Sequence, residues 1–166
     1  MWTALVPDLF TRTHESWHDH LGGLPPGMLL ARPGPEANPV GWIAWHALRV
    51  QDDHLADLVS GTQVWHQGWA DRFSLPYDRD AIGYGQSTEE VGHFQADSAL
   101  LLGYADAVHA RTLEIVAQLG DDDPERIVDE RWDPPVTLGV RLVSVVNDVT
   151  QHVGQVGYAL GILATH

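Results

Sequence analysis

Residues 138–163 constrain this chain more than any other stretch. Across a run of valine, leucine, isoleucine, alanine and glycine, the only formally charged residues are Arg141 and Asp148. In a protein of 166 residues with a formal net charge of −14, a solvated helix would show several more. Viewed down a helix axis, Arg141, Ser144, Asp148, Gln151, His152 and Gln155 fall in a stripe roughly 100° wide. A polar stripe is normally the water-facing side, but this one holds no Glu or Lys, the usual surface fillers. Gly154, Gly157 and Gly161 lower helix propensity and point to close neighbours. The expectation is a long last helix, Leu138 to Leu163, whose polar stripe largely faces a cavity.

Within that stripe Asp148 and His152 are four residues apart. On a helix they stand one turn above each other, with Cβ atoms roughly 5–6 Å apart. A carboxylate and an imidazole so placed can grip one metal ion without bending the backbone. A third ligand has to come from another helix, and His46 is the best candidate.

The remaining helices follow from periodicity and caps. Leu5, Leu9, Phe10, Trp17 and Leu21 are near helical spacing, with Gly22-Gly23 as the stop. His14 and His18 on this helix form an i, i+4 pair that could hold a metal. The segment is short, charged and close to a terminus, which favours a solvated face. A proline-rich connection with a possible turn at Gly27 to Ala31 leads to Asn38-Pro39, a capping residue followed by proline at the first helical position. The second helix is expected from Pro39 to about Val59, ending at Gly61. On it Trp42, His46, Arg49, Val50 and Asp53 lie within about 100° of arc.

Residues 61–86 are irregular and carry Trp65, Trp69, Phe73, Tyr77 and Tyr84, with a helical turn expected at Trp69 to Phe73. So many rings in a long loop mean a packed cover or a lid. Packing is the better reading for most of them, and Trp65 and Tyr84 are the two singled out for ligand contact. Ser87-Thr88-Glu89-Glu90 matches a capping box and is expected to open a third helix reaching Leu119. His93 and His109 on it are lone and read as surface or half-buried. Val128 to Thr137 is a connection with scope for a brief extended pairing. The fold expected is all-α: one domain, residues 1–166, as a four-helix bundle with long connections between helices 1–2, 2–3 and 3–4.

Charge and composition exclude several function classes. A charge of −14 disfavours nucleic acid and anionic membrane surfaces as partners. The chain has no cysteine, so it has no thiol nucleophile or Cys-ligated metal of its own. Neither a signal-peptide pattern nor an apolar stretch of membrane-spanning length is present, so the expected location is cytoplasmic. All nine basic residues are arginine, read as coding bias.

Asp148-Val-Thr-Gln-His152-Val-Gly154-Gln155 resembles the last-helix motif of the DinB/YfiT-like metalloenzyme superfamily, which in many members reads His-x-x-x-His-x-Gly-Gln. Trp45-His46-Ala47-Leu48-Arg49-Val50 resembles that superfamily's second-helix segment, source of its first metal ligand. The departure is Asp148, where many members have histidine. A carboxylate stands there in the mycothiol-dependent maleylpyruvate isomerase branch. The resemblance spans essentially the whole chain but rests on these two motifs. It implies a four-helix bundle, often a homodimer, binding zinc, nickel or a similar divalent ion at His46, Asp148 and His152.

In some relatives the metal activates a low-molecular-weight thiol for transfer or isomerisation, and a metal-bound thiol is deprotonated at neutral pH. Arg49 and Arg141 are the candidates to hold a carboxylate of thiol or substrate in a catalytic role, although Arg49 can equally pair with Asp53 at i, i+4. Trp42, Trp65, Tyr84 and Gln155 are the candidate cofactor contacts. The expected activity is metal-dependent S-transfer or isomerisation of a small-molecule electrophile. The alternatives are a metal hydrolase with water as nucleophile and a non-catalytic metal or small-ligand module.

Overall fold

The computed structural model describes residues 2–165, apart from the Thr3 side chain. Seven helices occur among them: α1 (Trp2–Leu21), α2 (Pro26–Leu29), α3 (Val40–Leu58), α4 (Trp69–Phe73), α5 (Thr88–Val91), α6 (Ser98–Val116) and α7 (Leu138–Leu163). The four long ones, α1, α3, α6 and α7, make the bundle. α3 packs against both α7 and α6, and α1 packs against α6 and α7.

α3 is the axis of the molecule. Every residue from Val40 to Asp52 is buried, because α6, α7, α2 and the 61–86 loop enclose it on all sides. Enclosure this tight needs Gly41: a Cβ there would lie 2.9 Å from both Leu29 Cγ and Phe94 Cε1. α1 contributes Phe10, Trp17 and Leu21 to the core from one face, the amphipathic pattern that drives its docking.

Helix starts are set by side-chain caps. Ser87 and Glu90 form the reciprocal capping box expected of them, but the helix they open ends at Val91. Gly92 follows, and Asp97 starts a new helix by accepting the Leu100 N–H at 2.7 Å. The single helix expected from Ser87 to Leu119 is therefore two, α5 and α6. Phe94, which had kept the helical period, is 1% exposed and fills the core from the intervening loop. Apolar periodicity reports burial, and a buried loop residue can supply it.

Residues 127–137 form a short antiparallel pair, β1 (Ile127–Asp129) and β2 (Val136–Thr137), with Ile127 opposite Thr137 and Asp129 opposite Val136. Thr137 then caps α7 through the Val140 N–H. Of the glycines at 154, 157 and 161, Gly157 sits under a neighbour, with its Cβ position 3.0 Å from the His20 ring, whereas Gly154 and Gly161 face open space; the Cβ position of Gly139, in the first turn of α7, lies 3.2 Å from Pro124.

Candidate metal centre and adjoining cleft

The facing surfaces of α3 and α7 bring His46 and His152 together. Their rings meet edge to face at 5.1 Å between centroids, and His152 Nε2 lies 3.7 Å from Asp148 Oδ1. That gap is too long for a hydrogen bond, but it is close to the separation of two donors on one metal with bonds of about 2.0–2.2 Å.

The orientation of both imidazoles is fixed from behind. His46 Nδ1 donates to the Ile82 carbonyl, and His152 Nδ1 donates to Gln155 Oε1 at 2.7 Å. With both Nδ1 atoms carrying protons, both Nε2 atoms keep free lone pairs, the arrangement that a hydrogen-bond acceptor behind the ring imposes on metal-ligating histidines. Burial lowers the His46 pKa, against the Ile82 bond, with His152 lowering it further and Asp148 opposing. The ring is therefore neutral at neutral pH, the form that ligates. Asp148 Oδ2 is buried and has no hydrogen-bond partner, an expensive state for a carboxylate oxygen unless a cation completes it. The donor chemistry fits a divalent ion. The three are not yet gathered as tightly as a second group, His14, His18 and Asp106, whose donor atoms lie within 4.8 Å of one another.

The cover over this site comes from residues 79–86. Trp42 lies flat against His46 at 5.0 Å and 12°, and donates to Gln86 Oε1 at 2.9 Å. Tyr84 also meets the His46 ring, edge-on at 5.1 Å, yet is 63% exposed. Burial, then Asp148 and Asp53, raise the Tyr84 pKa, so its hydroxyl stays protonated.

A cleft of about 580 Å³ opens beside the site, with Asp148, Tyr84, Asp53, His54, Arg141 and Trp132 among its walls. Arg141 is anchored by Asp129 at 3.1 Å, and its guanidinium approaches His54 Nδ1 at 3.3 Å. Hydrogen bonds from Arg131, with Arg141 adding to them, hold the Asp129 carboxyl well below the usual carboxylate range against its burial. Burial and then Arg141 lower the His54 pKa.

The family model described as the DinB superfamily matches residues 9–156. The chain belongs to the DinB superfamily. Its fold is also that of a conserved protein from Enterococcus faecalis, at 28% sequence identity and a TM-score of 0.91, covering 99% of this chain and 98% of that one. No curated protein matches the sequence.

Several expected site residues of this DinB chain serve the scaffold instead. Arg49 has no exposure, so it cannot hold a substrate carboxylate from where it stands. It donates to the Ala81 carbonyl and to Gln63 Oε1, lies 3.7 Å from Asp52 rather than on Asp53, and rests over the Trp65 ring at 4.6 Å. Trp65, 4% exposed, is a core residue whose indole N–H goes to the Arg79 carbonyl. Asp52 accepts from Val64 N, Trp65 N and Tyr104 OH. This cluster straps the 61–86 loop to α3 and so holds Ile82 over His46.

Trp42 likewise backs His46 from a buried position, and Gln155 is exposed and orients His152. Tyr84 and Arg141 do line the cleft. The α7 stripe is split accordingly: Arg141, Ser144 and Asp148 face the cleft, while Gln151 and Gln155 face water. His54, Asp129 and Trp132 were not anticipated. His54 lies just off the arc defined by His46 and Asp53, and the other two come from a connection with no helical phase to read.

Proposed function

We propose that this chain is a divalent-metal-dependent enzyme that acts on a small polar electrophile in the α3–α7 cleft. His46, Asp148 and His152 hold the metal, with zinc or nickel the ions best suited to two imidazoles and a carboxylate. The observation that carries this reading is the pairing of two Nδ1-anchored histidines with a buried, unpartnered Asp148 oxygen. Three protein ligands leave positions open, as catalytic sites require. A bound divalent ion would supply Lewis acidity and keep an external small thiol, of the mycothiol type, ionised at neutral pH.

The chain's own residues do the rest. Gln155 and the Ile82 carbonyl fix the two imidazole planes. Tyr84 packs on His46, lines the cleft and keeps its hydroxyl protonated. Arg141, held by Asp129 in a wall that also carries Asp53, Asp57 and Asp148, is the guanidinium placed to orient an anionic group of the substrate. The exposed Trp132 adds an apolar surface to the cleft lining. Cysteine-free itself, the protein is suited to a reaction whose thiol arrives with the substrate.

The test is turnover of a small electrophile by metal-reconstituted protein, with and without added thiol. Thiol-dependent turnover that is lost in Asp148→Asn supports the proposal. Turnover that needs metal but no thiol indicates hydrolysis at the same ligands. Metal-loaded protein inert in both assays refutes the enzymatic reading.

A further inference from the structure

We propose that His14, His18 and Asp106 form a second site, for a zinc-class divalent ion, that ties α1 to α6. It lies on a different pair of helices from the candidate centre between α3 and α7. His14 and His18 stand one turn apart on α1, and Asp106 faces them from α6. Both Nε2 atoms converge on a single carboxylate oxygen, Asp106 Oδ1, each at 2.7 Å. All three donor atoms lie within 4.8 Å of one another.

Three physical points favour a cation there. First, a carboxylate oxygen can only accept, so without metal both imidazoles spend their Nε2–H on the same atom. A cation can take the place of those two hydrogens, with the imidazole protons moving to Nδ1. Zinc–nitrogen and zinc–oxygen bonds of about 2.0–2.2 Å place tetrahedral donors roughly 3.4 Å apart. Each nitrogen, now 2.7 Å from the oxygen, has to move out by about 0.7 Å, and donors up to 4.8 Å apart have to close by up to about 1.4 Å, both within the reach of small side-chain rotations.

Second, the ligands are held in place before any ion arrives. His14 stacks flat on His109 at 4.3 Å and 10°, which sets its ring plane, and His18 meets His14 edge-on at 4.8 Å. His109 comes from the same helix as Asp106, so both partners of His14 move as one body.

Third, the site is accessible, with His18 and Asp106 side chains 42% and 56% exposed. A solvent-facing position therefore remains for a water or a fourth ligand. Two imidazoles and one carboxylate suit zinc, copper or nickel far better than magnesium or calcium. The chain's net charge of −14 raises the local concentration of any cation.

Because the ligands come from two helices, the ion should bind the folded state alone and stabilise it. Zinc at about 100 times its Kd should raise Tm on the order of 5–10 °C in a chain of this length.

The experiment is zinc titration of the full-length protein, in wild type, His18→Ala, Asp106→Asn and His152→Ala, with Tm recorded at each zinc level. Asp106 is exposed, so its substitution spares the core if His18→Ala folds poorly. The proposal expects one zinc equivalent to be weakened more than about 100-fold by His18→Ala and by Asp106→Asn, since losing even a residue that only orients a ligand costs about 10–100-fold. That equivalent, with its Tm increase, should survive in His152→Ala. Zinc binding and Tm response equal to wild type in folded Asp106→Asn and His18→Ala would overturn it. Loss of zinc in His152→Ala alone would leave the α3–α7 site standing and also refute this one.

Discussion

Gly83 joins the loop to the candidate metal ligands, and changing it should damage the site without touching a ligand. Its φ is +103°, and a Cβ built there would lie 2.7 Å from His46 Nδ1 and 3.0 Å from Trp42 Cζ2. Gly83→Ala therefore adds two costs. A left-handed backbone at a non-glycine residue costs about 1–3 kcal/mol. Overpacking against a stacked Trp–His pair costs about 1–3 kcal/mol more. The sum is about 2–6 kcal/mol of stability.

Gly85 provides the control: its φ is +74°, but nothing lies within 4 Å of the Cβ position. Gly85→Ala should carry only the backbone part, about 1–3 kcal/mol. The clash should also push Ile82 away from His46 Nδ1, and losing a hydrogen bond that orients a ligating imidazole weakens metal binding about 10–100-fold. Urea unfolding of the metal-free variants gives the first quantity. Zinc titration in an Asp106→Asn background, where the exposed pair does not contribute, gives the second. If Gly83→Ala matches Gly85→Ala in both stability and zinc affinity, the loop does not position His46 and the argument fails.

Arg49→Ala should cost about 3–5 kcal/mol, the usual penalty for removing one partner of a buried ion pair, because Asp52 and Gln63 lose their cation. Urea denaturation checks this, and a loss under about 1 kcal/mol would return Arg49 to the list of surface-like residues. His54 has a folded-state pKa lowered from about 6.5 by burial and then Arg141. The folded state thus binds fewer protons than the unfolded chain. The stability that this group contributes is fully present above about 6.5 and is lost as pH falls below it towards the folded value. A His54→Gln variant should flatten the pH dependence of Tm across that window, and an unchanged profile would sink the assignment.

Much of this was legible in the sequence, for identifiable reasons. α1, α3 and α7 are long, amphipathic or capped, and their faces were readable from a period of 3.6. The expected meeting of His46 with the Asp148–His152 turn rested on helical phase within each helix and on the two family-like motifs, and the structure brings the His46 and His152 rings to 5.1 Å. The same arithmetic misjudged Arg49, whose phase is right but which the loop covers completely. Helical phase says which side a residue is on and not what lies over it. Trp65, singled out for ligand contact from an irregular loop with no helical phase to read, is instead packed in the core at 4% exposure.

The Asp129–Arg141 anchor was invisible because it depends on the register of a two-stranded ribbon. His14 and His18 were read as a solvated face with a metal pair as the alternative; that both also meet Asp106, 88 positions from His18, is visible only once α1 packs on α6. α5 and α6 were merged because Phe94 keeps the helical beat while sitting in a loop.

The central claim is a metal held between α3 and α7. Its most direct test is elemental analysis of protein reconstituted with zinc or nickel, in an Asp106→Asn background, beside His46→Ala and His152→Ala. The account predicts about one equivalent retained through gel filtration, lost in both variants. A folded protein that retains no metal, or equal metal in all three, would contradict it.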